Sequence, residues 1–443
     1  MNELPLLERG LDQPLANLDG RTLSVGEFLG LALTLAGRLP DRRPVINLCQ
    51  NRTRFSIGFA AALLSGGHNL LPANRLPATV DALLRDQPNA CVLSDCAMDH
   101  IDAPVYHPSD LPACPPARSI PSIPSEQLAA VVFTSGSTGS ASRIIKSWST
   151  LYHSSRLNQR WFGAQRLLHT LATVPPQHMW GLETSVLLPW FGPMLMDDGQ
   201  PFFASDIISA LERLPEPRAL VSAPIHLRVL DETDVPLPNL DTIYSATAPL
   251  GPEVAKRLES ATSARVIEIY GCAETGCLAR RRSAKKESWQ LFSAFELVGG
   301  PQRFCIKAAH LPESVELMDT LRLGAEGSFE LVGRSSDLIN IAGKRASLAE
   351  LTRILLDIPG VIDGVIFQPP ERTGGRVERL AALVVAPGLE KSELHAHLAQ
   401  RVDGAFLPRP LRLVEALPRA ESGKLPRHAL IDLFRQVAQP TSG

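Results

Sequence analysis

The stretch Leu128-Ala129-Ala130-Val131-Val132-Phe133-Thr134-Ser135-Gly136-Ser137-Thr138-Gly139 runs from an apolar block straight into a loop of hydroxyls and glycines. Residues 128–132 read as a buried strand. At its end, two glycines permit a tight turn and bring backbone N–H groups close to an anion. Thr134, Ser135, Ser137 and Thr138 add hydroxyl donors around it. A buried strand that empties into such a loop is a cradle for a polyphosphate.

The common phosphate-binding signatures do not fit. A Walker A loop requires G-x-x-x-x-G-K-[ST], whereas Gly139 is followed by Ser140-Ala141-Ser142-Arg143. There is no G-x-G-x-x-G here, and no G-x-S-x-G elbow passes through Ser135 or Ser137.

Strand-like runs alternate with helical patterns around this loop. Residues 44–48, 90–94, 218–222, 242–245 and 265–270 read as strands, and 55–65 as a helix, which is α/β logic. Ligands of such sheets bind at the carboxyl ends of the strands. Residues 104–124 are crowded with prolines and read as a surface connection. Beyond Gly333-Arg334 a polar step, Ser335-Ser336-Asp337, precedes about a hundred residues with strands of their own at 364–368, 380–386 and 411–417. The expected fold is therefore α/β, a large multi-sheet N-terminal domain (residues 1–335) with a small α+β C-terminal domain (residues 336–443).

Composition bounds the rest. At 443 residues the chain can bury a substantial core, and a net charge of -2 gives no overall field to attract nucleic acid or an anionic membrane. Seven cysteines, an odd number without a C-x-x-C pair, argue against a disulfide framework and a zinc knuckle, and fit a reducing cytoplasm. No leader pattern and no membrane-spanning run are expected.

Further segments follow the glycine loop in order: Ser222-Ala223-Pro224, Ser245-Ala246-Thr247-Ala248-Pro249-Leu250, Tyr270-Gly271-Cys272-Ala273-Glu274-Thr275-Gly276, Asp319, Gly333-Arg334 with Ala342-Gly343-Lys344-Arg345, and Leu417-Pro418-Arg419-Ala420-Glu421-Ser422-Gly423-Lys424.

In this order, over nearly the whole chain, the segments resemble the adenylate-forming superfamily of acyl-CoA synthetases, nonribosomal-peptide adenylation domains and luciferases. The resemblance implies ATP and Mg2+ as cofactors. Residues 134–139 would form the phosphate loop, with Thr138 assisting catalysis. Tyr270, Gly271, Thr247 and Ala248 would surround the adenine, Asp319 would hold the ribose, and Arg334 would stand at the hinge. Glu274 would be the metal carboxylate and Lys424 the catalytic lysine. His178, Ser222, Pro224, Ser245 and Ala246 would line the acid pocket, and Gly343 the thiol tunnel. The small domain would be mobile, rotating about Ser336 between two poses, one for each half-reaction.

His178 stands where amino-acid-activating relatives carry an aspartate, so an α-amino acid would lack a counter-ion and a plain carboxylic acid is favoured. The pattern is broken after Gly139, where Ala141-Ser142-Arg143 replaces Pro-Lys-Gly; any cation there must come from Arg143 or Lys146. Ala273 replaces the usual threonine. The compact N-terminal part is similar to that of the aryl-acid ligases of aryl-polyene and xanthomonadin-type pathways. This implies a hydroxybenzoate-like acid and an acyl carrier protein as acceptor, with Arg280, Arg281, Arg282, Lys285 and Lys286 as a candidate carrier-facing patch. A ligase using free CoA and a nucleotide-binding scaffold without turnover are the alternatives.

Overall fold

A computed structural model describes residues 2–72, 74–98, 101–134, 142–162, 165–300, 303–325, 327–334, 338–341, 344–369, 379–420 and 423–437. The chain is α/β. Its strand Leu128–Thr134 lies inside a sheet of six strands among the described residues, parallel to His68–Leu71 on one side and antiparallel to Ser142–Ser147 on the other. Pro44–Asn47, Cys91–Leu93 and Val105–Tyr106 complete that sheet. The run is apolar because both faces are covered: Ala130 and Val132 join a core with the helices Val25–Ala36 and Arg52–Leu64, while Val131 and Phe133 face a second cluster around Val80 and Leu83.

A second sheet has eleven strands among the described residues. At its centre Leu168–Ala172, Arg218–Ser222, Thr242–Ser245 and Arg265–Cys272 run parallel, with Ser222, Ser245 and Glu268 in register. Arg218–Ser222 and Thr242–Ser245 therefore end level, Arg265–Cys272 runs four residues further, and the loops that follow them form one rim. Towards the carboxyl end of the chain, Asp363–Phe367, Ala381–Val385 and Leu411–Leu413 form a three-stranded sheet with its own core, where Leu355, Ala382, Val384 and Leu394 are fully buried.

Local signals explain several boundaries. Ser24 caps Val25–Ala36 by accepting from Glu27 N–H while the Glu27 carboxylate returns to Ser24 N–H, a reciprocal capping box. The helix expected at 55–65 starts three residues earlier, at Arg52, because Asn51 caps it. The strand expected at 411–417 ends at Leu413, where the chain leaves the sheet for Pro418. The proline-rich 104–124 segment is more than a surface connection. It contributes the edge strand Val105–Tyr106 and the strand Ser122–Pro124, which pairs with Glu3–Pro5. It also lies so close under the first helix that a Cβ on Gly30 would stand 2.4 Å from Pro115 O.

No helix among the described residues is long and apolar enough to cross a membrane.

Candidate active site

The loops after the parallel strands gather residues that are far apart in sequence. Tyr270, near the end of Arg265–Cys272, donates its hydroxyl to Asp319 Oδ2 at 2.7 Å. Its ring meets Phe329 edge-on, with centroids 5.9 Å apart. Gly271 follows at an irregularity in the pairing with Gly276–Arg281. A Cβ there would stand 2.1 Å from Gly276 O, so the sharp turn needs glycine. Glu274 sits exposed at the tip of that turn.

Thr247 takes a left-handed backbone (φ 82°), a costly conformation for a β-branched residue. Among the described residues no group hydrogen-bonds the buried Thr247 Oγ1 or the buried Ser245 Oγ. Ala248 is exposed beside them.

The segment carrying Lys424 packs onto this rim. Around Gly423 (φ 78°), the side chains of Ala223, Ile225 and Thr247 lie 3.5, 3.5 and 3.7 Å from where a Cβ would be. The turn is closed by Gly423 N–H donating to Ala420 O and Ala420 N–H to Lys424 O, both at 2.8 Å. Arg419 braces it: two of its N–H groups grip Asp363 at 2.6 Å and a third reaches Gly423 O at 2.8 Å. Lys424 is also close enough to act on His178. Burial first, then the charges of Lys424 and Arg75, push the His178 imidazole down to about 4, so it is neutral near pH 7.

A buried polar chain stands behind this rim. Ser222 Oγ and Thr173 Oγ1 are 2.8 Å apart, His226 Nδ1 lies 2.7 Å from Thr173 Oγ1, and Trp180 Nε1–H donates to Ser222 O at 3.2 Å. Ser222, fully buried, is therefore committed to Thr173. Pro224 starts the helix Pro224–Asp231, and Ala246 is buried next to it in the same rim. A cavity of about 380 Å3 adjoins the chain, lined by Gln50, Asn51, Arg75, Thr173, Asp198 and Phe202.

Several expected site residues fall outside what is described: Ser135, Gly136, Ser137, Thr138 and Gly139 of the phosphate loop, Ser336 and Gly343, and the side chains of Thr134 and Arg334. Two expectations are corrected. The cation sought after Gly139 is engaged elsewhere in both candidates: Arg143 pairs with Asp86 at 2.7 Å, and Lys146 is buried with its ammonium on Glu274 O at 2.5 Å. The basic run is largely occupied as well. Arg281 pairs with Glu268, Arg282 with Glu259, and Arg280 donates to Trp161 O.

Sequence reasoning missed Arg52. It is fully buried and donates to Ala172 O at 2.8 Å, Val174 O at 3.0 Å and Ser185 Oγ at 2.5 Å, fixing the strand end that leads to His178. Arg52 opens its helix beside the polar Thr53 and Arg54, so no local signal set it apart.

The model of the family described as AMP-binding enzyme matches residues 21–295. The chain belongs to the AMP-binding enzyme family. Within it, the human mitochondrial acyl-coenzyme A synthetase ACSM2A is 23% identical over 371 residues, covering 70% of this chain and 61% of that relative. Among solved structures, ATP-bound MatB from Rhodopseudomonas palustris superposes with a TM-score of 0.80 at 18% identity, covering 97% of each chain. The O-succinylbenzoate coenzyme A synthetase MenE of Bacillus subtilis, solved with ATP and magnesium ion, gives 0.78 at 18% identity, covering 95% of this chain and 96% of that one. The chain thus has the fold of adenylate-forming ligases.

Proposed function

We propose that this protein is an AMP-forming acid:thiol ligase. A carboxylate oxygen of an organic acid attacks the α-phosphorus of ATP and pyrophosphate leaves. A thiol then attacks the acyl carbon of the adenylate, giving a thioester, AMP and a proton. The acid is aryl, of the hydroxybenzoate type, and the thiol is the phosphopantetheine of an acyl carrier protein.

The observation that carries this reading is the seating of Gly423 against Ala223, Ile225 and Thr247. It brings Lys424 to the carboxyl ends of the parallel strands, within electrostatic reach of His178. There the ammonium neutralises charge as the carboxylate approaches the phosphate, worth several kcal/mol in a closed site (~3–4). Tyr270 and Asp319 form the nucleoside end, and the unpartnered Ser245 and Thr247 hydroxyls are free to meet substrate oxygens. Neutral His178 and buried Trp180 suit a flat uncharged ring better than an ammonium group.

Mg2+ fits the residues present. Glu274 offers an exposed carboxylate with no ion pair among the described residues, and a Mg2+ carried on phosphates needs only one or two such oxygens. When bound it would neutralise phosphate charge. Residues 336–443 act as the mobile lid about Ser336, Gly343 lines the thiol path in the second pose, and residues 134–139 hold the phosphates with Thr138 assisting. Free cysteines throughout agree with a cytoplasmic enzyme.

A second reading, free CoA as the acceptor, is favoured by the name of the ACSM2A relative and by the engagement of Arg280, Arg281 and Arg282 within the protein. Acid-dependent ATP–pyrophosphate exchange over benzoates, cinnamates and fatty acids tests the first half-reaction; offering CoA or a holo carrier protein then separates the acceptors. Lys424→Ala should cut exchange by roughly 10²–10³-fold while sparing thioester formation from supplied acyl-adenylate. ATP binding without exchange for any acid would instead indicate a scaffold.

A further inference from the structure

The turn that carries Glu274 is held from beneath by two buried, oppositely charged side chains that come from different parts of the chain. Lys146 lies on Ser142–Ser147, the strand leaving the phosphate loop, opposite Ala130. It is only 2% exposed, and its ammonium donates to Glu274 O at 2.5 Å. Glu183 opens a π-helical turn, Glu183–Leu187, that continues the short helix after His178. It is 1% exposed and accepts from Ser154 Oγ at 2.6 Å, Asn158 Nδ2 at 3.4 Å, Cys277 N at 3.0 Å and Cys277 Sγ at 3.3 Å. The carboxylate is pressed against the turn: a Cβ on Gly276 (φ 72°) would stand 2.3 Å from Glu183 Oε1.

Burying two charges is costly unless they are paired and hydrogen-bonded, and an apolar pair would fill the same space more cheaply. What this pair supplies is a fixed main chain. One charge binds the carbonyl of Glu274, and the other binds the amide two residues after Thr275. Burial lowers the Lys146 pKa and raises that of Glu183, and each charge partly offsets the shift of the other. An exposed carboxylate on a turn is a poor metal ligand unless that turn is ordered in advance. π-Turns of this kind are frequent at functional sites.

We propose that Lys146 and Glu183 are positioning residues that pre-order the 272–276 turn, and so aim Glu274 at the metal and phosphates. They couple the strand leaving the phosphate loop to the helix leaving His178. This rests on the assignment of Glu274 under the proposed function.

The test uses the full-length protein with ATP and no acid, so that binding is read without turnover. Mg2+ is titrated by calorimetry for the wild type, Lys146→Met, Glu183→Gln, the charge-balanced double variant and Glu274→Ala. Thermal midpoints and hydrogen exchange at the amides of residues 272–277 are recorded in parallel. In Lys146→Met the Mg2+ needed for half-maximal ATP binding should rise about tenfold, as for loss of a residue that orients a metal ligand, and the 272–277 amides should exchange faster. The double variant should recover most of the thermal midpoint but not the Mg2+ dependence. A folded double variant with wild-type Mg2+ dependence and wild-type exchange would overturn the proposal. If Glu274→Ala leaves the Mg2+ dependence unchanged, the metal assignment itself is wrong, while the exchange data still decide whether Lys146 orders the turn.

Discussion

Arg419 holds Asp363 with two N–H···O bonds of 2.6 Å and passes a third to the Gly423 carbonyl at 2.8 Å. The Lys424 turn is therefore fastened to the first strand of the C-terminal sheet. The pair is largely buried, with side-chain exposures of 18% and 5%. Removing one partner strands the other charge, a loss of about 3–5 kcal/mol. Arg419→Ala should lower the thermal midpoint of the C-terminal region and slow pyrophosphate exchange. Replacing both, as Arg419→Met with Asp363→Leu, should restore the midpoint while exchange stays slow, because the turn has lost its brace. Calorimetric melting beside exchange kinetics checks both; fast exchange in the stable double variant would remove Arg419 from the positioning of Lys424.

The Tyr270–Asp319 hydrogen bond gives the proposed nucleoside end its shape. Tyr270→Phe keeps the ring and its edge contact with Phe329 but removes the hydrogen bond to Asp319. A hydrogen bond to a charged group contributes about 1.5–3 kcal/mol, and part of this is regained from water at a half-buried site. The KM for ATP should rise by roughly tenfold with kcat nearly unchanged. A fall in kcat at constant KM would mean that the hydroxyl serves the reacting groups instead.

What could be read from the chain in advance was local or ordered along it. The Leu128–Val132 run announced a buried strand, and the sequence of short motifs drew Tyr270 and Asp319 together although 49 positions separate them. Partner choice was not legible. Lys146 was offered to the phosphate loop, yet it turns to a carbonyl 128 positions away, and Arg419 finds Asp363 across 56 positions. Periodicity reports which face is buried, not which polar group waits there. The run Arg280-Arg281-Arg282 misled for the same reason, since Glu268 and Glu259 that occupy two of its members lie on other elements. Arg52 was passed over because it lies ahead of the helix expected at 55–65, beside the polar Thr53 and Arg54.

His226 makes stability depend on pH. It is 4% exposed, bonded to Thr173, and burial pushes its pKa down to about 4. In the unfolded chain the imidazole titrates near 6.5. Between these values the unfolded state binds more protons than the folded one. The contribution is therefore fully present above about 6.5 and is lost as pH falls towards 4, by up to about 1.4 kcal/mol per pH unit. His178 is shifted the same way and adds to the slope. Chemical denaturation at pH 7 and pH 5 should show a marked loss, and His226→Gln should reduce it. An equal loss in the variant would assign the acid sensitivity to other groups.

Thr247 sets stability against function. Its left-handed backbone is unfavourable for a β-branched residue, and its buried hydroxyl has no hydrogen-bond partner among the described residues. The first costs about 1–3 kcal/mol and the second about 1–3 kcal/mol, which the folded protein tolerates if the hydroxyl meets a substrate oxygen during turnover. Thr247→Gly relieves both, at the cost of a more flexible unfolded chain. The variant should melt at the wild-type temperature or a few degrees above it, while exchange falls severalfold through a raised KM for ATP or acid. Gly423, which lies 3.7 Å from this hydroxyl at the position a Cβ would take, should keep its seat, so the loss would come from the missing oxygen and not from a displaced Lys424. A variant that melts lower and exchanges normally would show instead that Thr247 serves the fold.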